Sequence, residues 1–178
     1  MEHSDETLLS VVVLELGSTW PPWLAEYQAQ APNSIVIAQS ADESASTFAR
    51  RIGRKMDEIG ARDAAIHAGL LVCNNALDSA TSDARQAICD ALLQVMLKKQ
   101  RGELVLASDV TAGDAVRHQL FALAGTLCDE LRGTRVSVRV RFDTLRPGSA
   151  VSGVMKSVTP SASSEPRSKE GRASNGSR

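Results

Sequence analysis

The sequence predicts an α/β protein, a three-layer sandwich around a five-stranded, mainly parallel sheet. Three observations lead there. Strand-length apolar runs alternate with amphipathic helical patterns from Leu8 to Phe142. The run Ile66-His67-Ala68-Gly69-Leu70-Leu71-Val72 is apolar except for His67, the pattern of a strand covered on both faces. The last strand, Arg135 to Phe142, instead alternates Val136, Val138 and Val140 with Ser137, Arg139 and Arg141, which marks an edge with one wet face.

Taken in order, Leu8 to Leu16 forms the first strand, β-branched at Val11-Val12-Val13 and bounded by Gly17. Glu15 interrupts it near the exit, either as a charge snorkelling at the strand end or as a carboxylate aimed at a ligand crevice. Thr19 caps a short helix with Pro21 and Pro22 in its first turn, and Trp20 and Trp23 clamp that helix to the sheet. Ser34 to Gln39 is the second strand. Ser40-Ala41-Asp42-Glu43 has the form of a capping box. Behind it Ala45, Phe48, Ala49, Ile52, Met56 and Ile59 make one apolar stripe, with Arg50, Arg51, Arg54 and Lys55 as a solvated face.

Gly60 ends that helix and the apolar third strand follows, closing at Cys73-Asn74-Asn75. Asp78 to Asp83 offers several N-caps for a helix whose face is Ala84, Ile88, Ala91, Leu92, Val95 and Met96. Lys98, Lys99 and Arg101 suit its C-terminal end, and Gly102 suits the left-handed residue beyond it. Glu103 to Ala107 is the fourth strand, leaving through Ser108 and Asp109. A last helix carries Val116, Leu120, Leu123, Ala124, Leu127 and Leu131, and Gly133 closes it.

Domain organisation follows from composition. Residues 1–7 read as a flexible N-terminus, 8–145 as a single α/β domain and 146–178 as a disordered tail of Ser, Gly, Pro and basic residues. The tail is net +4 within a chain of net charge -1. It lacks the density and the aromatics of a nucleic-acid arm, so no nucleic acid is expected as a partner. Cys73, Cys89 and Cys128 form no CxxC pair and sit in apolar segments, which fits buried thiols in a reducing compartment. The N-terminus is acidic and polar, unlike a signal peptide, and no apolar run approaches the roughly 18 residues that span a bilayer. A cytoplasmic location and no membrane partner are therefore expected.

Strands one, three and four are the most apolar, so all three belong in the interior. The flavodoxin-like order 2-1-3-4-5 achieves this; the Rossmann-like order 3-2-1-4-5 leaves strand three at an edge. The favoured order puts the topological switch point between strands one and three. The predicted ligand-binding residues are Gly17, Ser18 and Thr19 on one side, Asn74 and Asn75 on the other, and Ser108 and Asp109 next along.

This set is rich in hydrogen-bonding groups and poor in reactive ones. Cys73 is the best nucleophile, but His67 lies at the far end of its strand and His118 on a polar helix face. GxGxxG, Walker A, GxSxG and HExxH are all missing, and no Cys/His cluster has zinc spacing, so neither cofactor nor metal is expected. A receiver domain would carry an aspartate where Cys73 stands and an acidic pair where Gly17-Ser18 stands. The glycine-rich loop of universal stress proteins has no counterpart in Ala107 to Thr111.

The expected function is accordingly a non-catalytic α/β module that binds a protein partner or a small polar ligand, in a regulatory role. The alternative is a small cysteine- or carboxylate-dependent hydrolase or transferase using Cys73, Glu15 or Asp109. Arg139 and Arg141 would face their own copies in a strand-to-strand dimer, so a monomer or a helix-mediated homodimer is expected.

Overall fold

A computed structural model describes residues 7–18, 33–62 and 64–143. The chain divides into a unit Met1–Gly148 and a unit Ser149–Arg178, and every described residue lies in the first. The expected short helix behind Thr19, the tryptophan clamp and the tail 146–178 lie outside the described residues.

The elements are β1 (Thr7–Leu14), β2 (Asn33–Ala38), α1 (Ala45–Gly60), β3 (Ala64–Val72), α2 (Ser79–Lys99), β4 (Gly102–Asp109), α3 (Asp114–Glu130) and β5 (Val136–Asp143). The five strands form one sheet in the order β2-β1-β3-β4-β5, and every neighbouring pair is parallel. This is the order that keeps the three most apolar strands inside. Both faces of the sheet are buried at its central strands β1, β3 and β4. On one, Val11, Val13, Leu71, Leu104 and Leu106 join a core with Phe48 and Ile52 of α1, Ile88 and Leu92 of α2, and Leu120 and Leu127 of α3. On the other, Val12, Leu70, Val72 and Val105 have no accessible surface, and Leu14 and Val36 pack against them.

β3 contains an irregularity that its apolar run conceals. Leu9 pairs with Ile66, but the next residue, Ser10, pairs with Ala68, so His67 is an extra residue with no counterpart on β1. The bulge exchanges the two faces of the strand. Ala64 and Ile66 join the helix-side core before it, whereas Ala68, Leu70 and Val72 join the opposite cluster after it. His67 is left exposed in an interior strand, and Ser10, paired with Ala68 just beyond the bulge, is buried with no hydrogen-bond partner for its hydroxyl among the described residues.

Helix boundaries depart from expectation at two caps. The N-cap of α1 is Ser44, whose hydroxyl accepts from the Thr47 amide at 3.2 Å. The box-like Ser40 to Glu43 forms a turn before the helix, and Glu43 is turned towards Arg51. At the end of α2 the left-handed residue is Gln100, with φ 53°, rather than Gly102. Gly102 has a different reason to be glycine: a Cβ there would stand 2.8 Å from the Ile66 carbonyl oxygen, and its φ is +138°. Asp78 caps α2 as its position suggested, accepting from the Thr81 amide at 2.8 Å.

Candidate functional site

The C-terminal edge of the sheet, where β1 and β3 exit towards opposite neighbours, is occupied by an ion pair. Glu15 follows β1 directly and is 5% exposed; Arg85, in the second turn of α2, is 1% exposed. Their contact is bidentate, Arg85 Nε to Glu15 Oε1 at 2.7 Å and Arg85 Nη2 to Glu15 Oε2 at 2.8 Å. The remaining guanidinium donors reach the Ala76 carbonyl at 3.0 Å, Gln119 Oε1 of α3 at 2.6 Å and the Asn74 carbonyl at 3.0 Å. A guanidinium has five N–H groups, and each of these has an acceptor here. Glu15 Oε2 also accepts from the Asn74 amide at 2.9 Å, so the carboxylate bridges the exits of β1 and β3.

Electrostatics explain why Arg85 stays charged. Burial by itself would lower the arginine pKa, but the hydrogen bonds and charge of Glu15 outweigh it and hold Arg85 above its ordinary value. A planar fork that satisfies a carboxylate and three carbonyl oxygens together is a task for arginine rather than lysine. Arg85 was missed in the sequence because Ser82, Asp83 and Gln86 around it suggest a solvated first turn. Two signals point to it nonetheless. Position 85 precedes Ile88 and Cys89 by three and four residues, which is the buried stripe. A carboxylate within an apolar run also requires a cationic partner.

The sequence-predicted residues fall around this pair. Asn74 is half-buried and binds on every side: its Nδ2 donates to the Leu16 carbonyl at 2.8 Å, and its Oδ1 accepts from the Ala76 amide at 2.8 Å. Ser18 donates through both its amide and its hydroxyl to the Glu15 carbonyl, closing a turn in which Gly17 has φ +76°. Ser108 is buried and donates to the Cys73 carbonyl at 3.2 Å. Asp109 accepts from the Thr111 amide at 2.7 Å and from the Thr111 hydroxyl, so it shapes the β4–α3 turn. Asn75 is exposed, and Thr19 lies outside the described residues.

Of the candidate catalytic groups, Glu15 is held by Arg85 and Asn74, away from solvent. Cys73 is 2% exposed, and its thiol contacts the Leu71 carbonyl at 3.8 Å. Burial first, then the nearby Glu15 charge, push its pKa well above the ordinary thiol value, so it is held protonated. Cys89 is raised by burial in the same way. Cys128 departs from expectation and is exposed, on the outer side of α3.

No family model matches the chain, and no curated protein does. Solved structures that it resembles include a short-chain dehydrogenase from Streptomyces avermitilis, with 15% identity, TM-score 0.46, and coverage of 74% of this chain and 64% of that one. A ribose-5-phosphate isomerase from Brucella melitensis shares 14% identity at TM-score 0.45, over 73% of this chain and 66% of that one. A short-chain dehydrogenase from Rhodopseudomonas palustris shares 11% identity at TM-score 0.46, over 74% and 84%. The chain thus spans less than two thirds of the first two. These likenesses carry nothing about its chemistry.

Proposed function

We propose that this chain is a non-catalytic α/β module that binds a protein partner or a small polar ligand and regulates a neighbouring system. One observation carries the reading. The crevice at the switch point, where folds of this type hold their ligands, is filled by the Glu15–Arg85 pair, whose donors and acceptors are directed at each other and at the backbone. A charged pair satisfied from within organises the edge of the sheet and leaves recognition to the surface around it. The buried Cys73 and Cys89, both free thiols, support a cytoplasmic setting. No helix of the described residues is long and apolar enough to cross a membrane. A monomer, or a dimer made through helices, is part of the same proposal, because Arg139 and Arg141 stand on the edge strand β5, where self-pairing would bring them near their own copies.

The test is affinity capture with the full chain from a native lysate, identifying bound proteins and retained small molecules. It is run beside a panel of ester, thioester and phosphoester substrates. A reproducible partner or ligand without turnover supports the proposal. Turnover that disappears on Cys73→Ser or Asp109→Asn in a folded protein would replace it with the hydrolase or transferase alternative.

A further inference from the structure

We propose that the outer edge of β2 is a docking strand for an extended acidic peptide of a partner protein; this deepens the module reading and rests on it. Among the described residues β2 is the terminal strand of the sheet and pairs with β1 alone. The two edges are built differently. β5 carries Arg139 and Arg141, the usual protection against an added strand, whereas Asn33-Ser34-Ile35-Val36-Ile37-Ala38 has no charge and no proline.

A cavity of about 460 Å³ runs along this unprotected edge, with Ile35 to Ala38 on one side and Arg51, Arg54, Lys55 and Glu58 of α1 on the other. Those four residues of α1 are spaced as one helix face. The backbone of the edge is turned outward at alternate residues. The Gln39 amide points inward, to the Leu14 carbonyl at 2.9 Å, whereas the Ala38 carbonyl points outward and already accepts from Arg51 Nη2 at 2.7 Å. By that alternation Ser34 and Val36 also direct their amides and carbonyls outward, and no described residue pairs with them. Strand addition needs such groups, with a pocket for alternate side chains beside them.

Charge selects the occupant. Arg51 is neutralised by Glu43, and Lys55 faces Glu58 at 2.8 Å. Arg54 remains exposed beside them, and the wall residues Arg51, Arg54 and Lys55 outweigh Glu58 and Glu43, so the wall is net basic. An incoming strand with carboxylates on the side facing α1 meets these arginines. A second copy of this chain does not fit as well, because two β2 edges paired across a two-fold axis would bring the same basic helix faces together.

The probe is a fluorescein-labelled peptide alternating Glu and Val, titrated against the full chain by fluorescence anisotropy at low salt. Saturable binding is expected. It should weaken about tenfold or more in the double variant Arg54→Glu, Lys55→Glu, and equally when the peptide amides along one edge are N-methylated. A Lys/Val peptide should not bind. Both substitutions lie on a helix surface, and circular dichroism confirms the fold of the variant. Absence of binding, or binding indifferent to N-methylation or to charge reversal, overturns the proposal. So does a dimer in sedimentation that Val36→Lys splits, since a second copy would then occupy the edge. If the peptide fails while lysate capture still yields a partner insensitive to charge reversal, only the docking strand is wrong. If capture yields nothing and turnover appears, the module reading itself fails.

Discussion

Removing Arg85 is the most demanding test of how the sheet edge is held. In Arg85→Met the Glu15 carboxylate keeps the Asn74 amide and loses both charged donors, while the carbonyls of Ala76 and Asn74 and the amide oxygen of Gln119 lose theirs. Breaking a buried pair from one side costs about 3–5 kcal/mol, because the remaining charge is uncompensated. At about 2–4 °C per kcal/mol for a chain of this size, the melting temperature should fall by about 6–20 °C. The decisive step is the second substitution. Glu15→Gln removes the stranded charge and retains an oxygen for the Asn74 amide, so Arg85→Met with Glu15→Gln should be more stable than Arg85→Met alone, by about 1–3 kcal/mol. Urea unfolding followed by circular dichroism, with the slope checked for constancy, reads all four corners of the cycle. If Glu15→Gln deepens the loss in the Arg85→Met background, the two charges do not act as a pair. A loss below about 1 kcal/mol for Arg85→Met would mean that water screens the site, as at an exposed ion pair.

Three further outcomes are expected. With a thiol reagent at neutral pH, Cys128 should label rapidly in the native protein and Cys73 and Cys89 only after denaturation, as read by mass spectrometry; fast native labelling of Cys73 would contradict its burial. Gly102→Ala should destabilise by about 1–3 kcal/mol, because the new methyl meets the Ile66 carbonyl and the backbone has positive φ. Gly69→Ala should cost less than about 1.5 kcal/mol, since its methyl crowds only the far end of a flexible side chain, Met96 Cε at 2.8 Å, and meets Leu92 at ordinary contact distance; the reverse order in urea titrations would refute the packing argument. Ser10→Ala should raise stability by about 1 kcal/mol, against the usual trend of core substitutions, because it removes a buried hydroxyl without a partner; a clear loss in a thermal melt would show that the hydroxyl has one.

Strand order was legible because it rests on a ranking. The Val11-Val12-Val13, Leu70-Leu71-Val72 and Leu104-Val105-Leu106 runs are too apolar for an edge, and only one common order keeps all three inside. The alternation of Val136, Val138 and Val140 likewise marks β5 as an edge, which the topology bears out. Local details competed less evenly. Ser40 and Ser44 both suit an N-cap: Glu43 accepts from the Ser40 amide and from Arg51 alike, and it is the Ser44 hydroxyl that meets a helix amide. The bulge at His67 left no trace, because Ile66 and Ala68 are apolar in either frame. At the site, Glu15 and Asn74 were legible from their places at strand exits. Arg85 and Gln119 were not, since each contributes one polar residue to a helix whose apolar positions carry the pattern.

Glu15 and Arg85 are 70 positions apart in the chain, and this bears on how long the folded molecule lasts. Closing so long a loop brings little reward until the strands between are in place, and two charges must lose their water before they meet. The contact is therefore expected to form after the barrier to folding has been crossed. Interactions of that kind leave the rate of folding almost unchanged and set the rate of unfolding. Variation at either residue should appear in a chevron as a raised unfolding limb beside an unmoved folding limb, so that the seam at the top of the sheet acts as the clock of the native state.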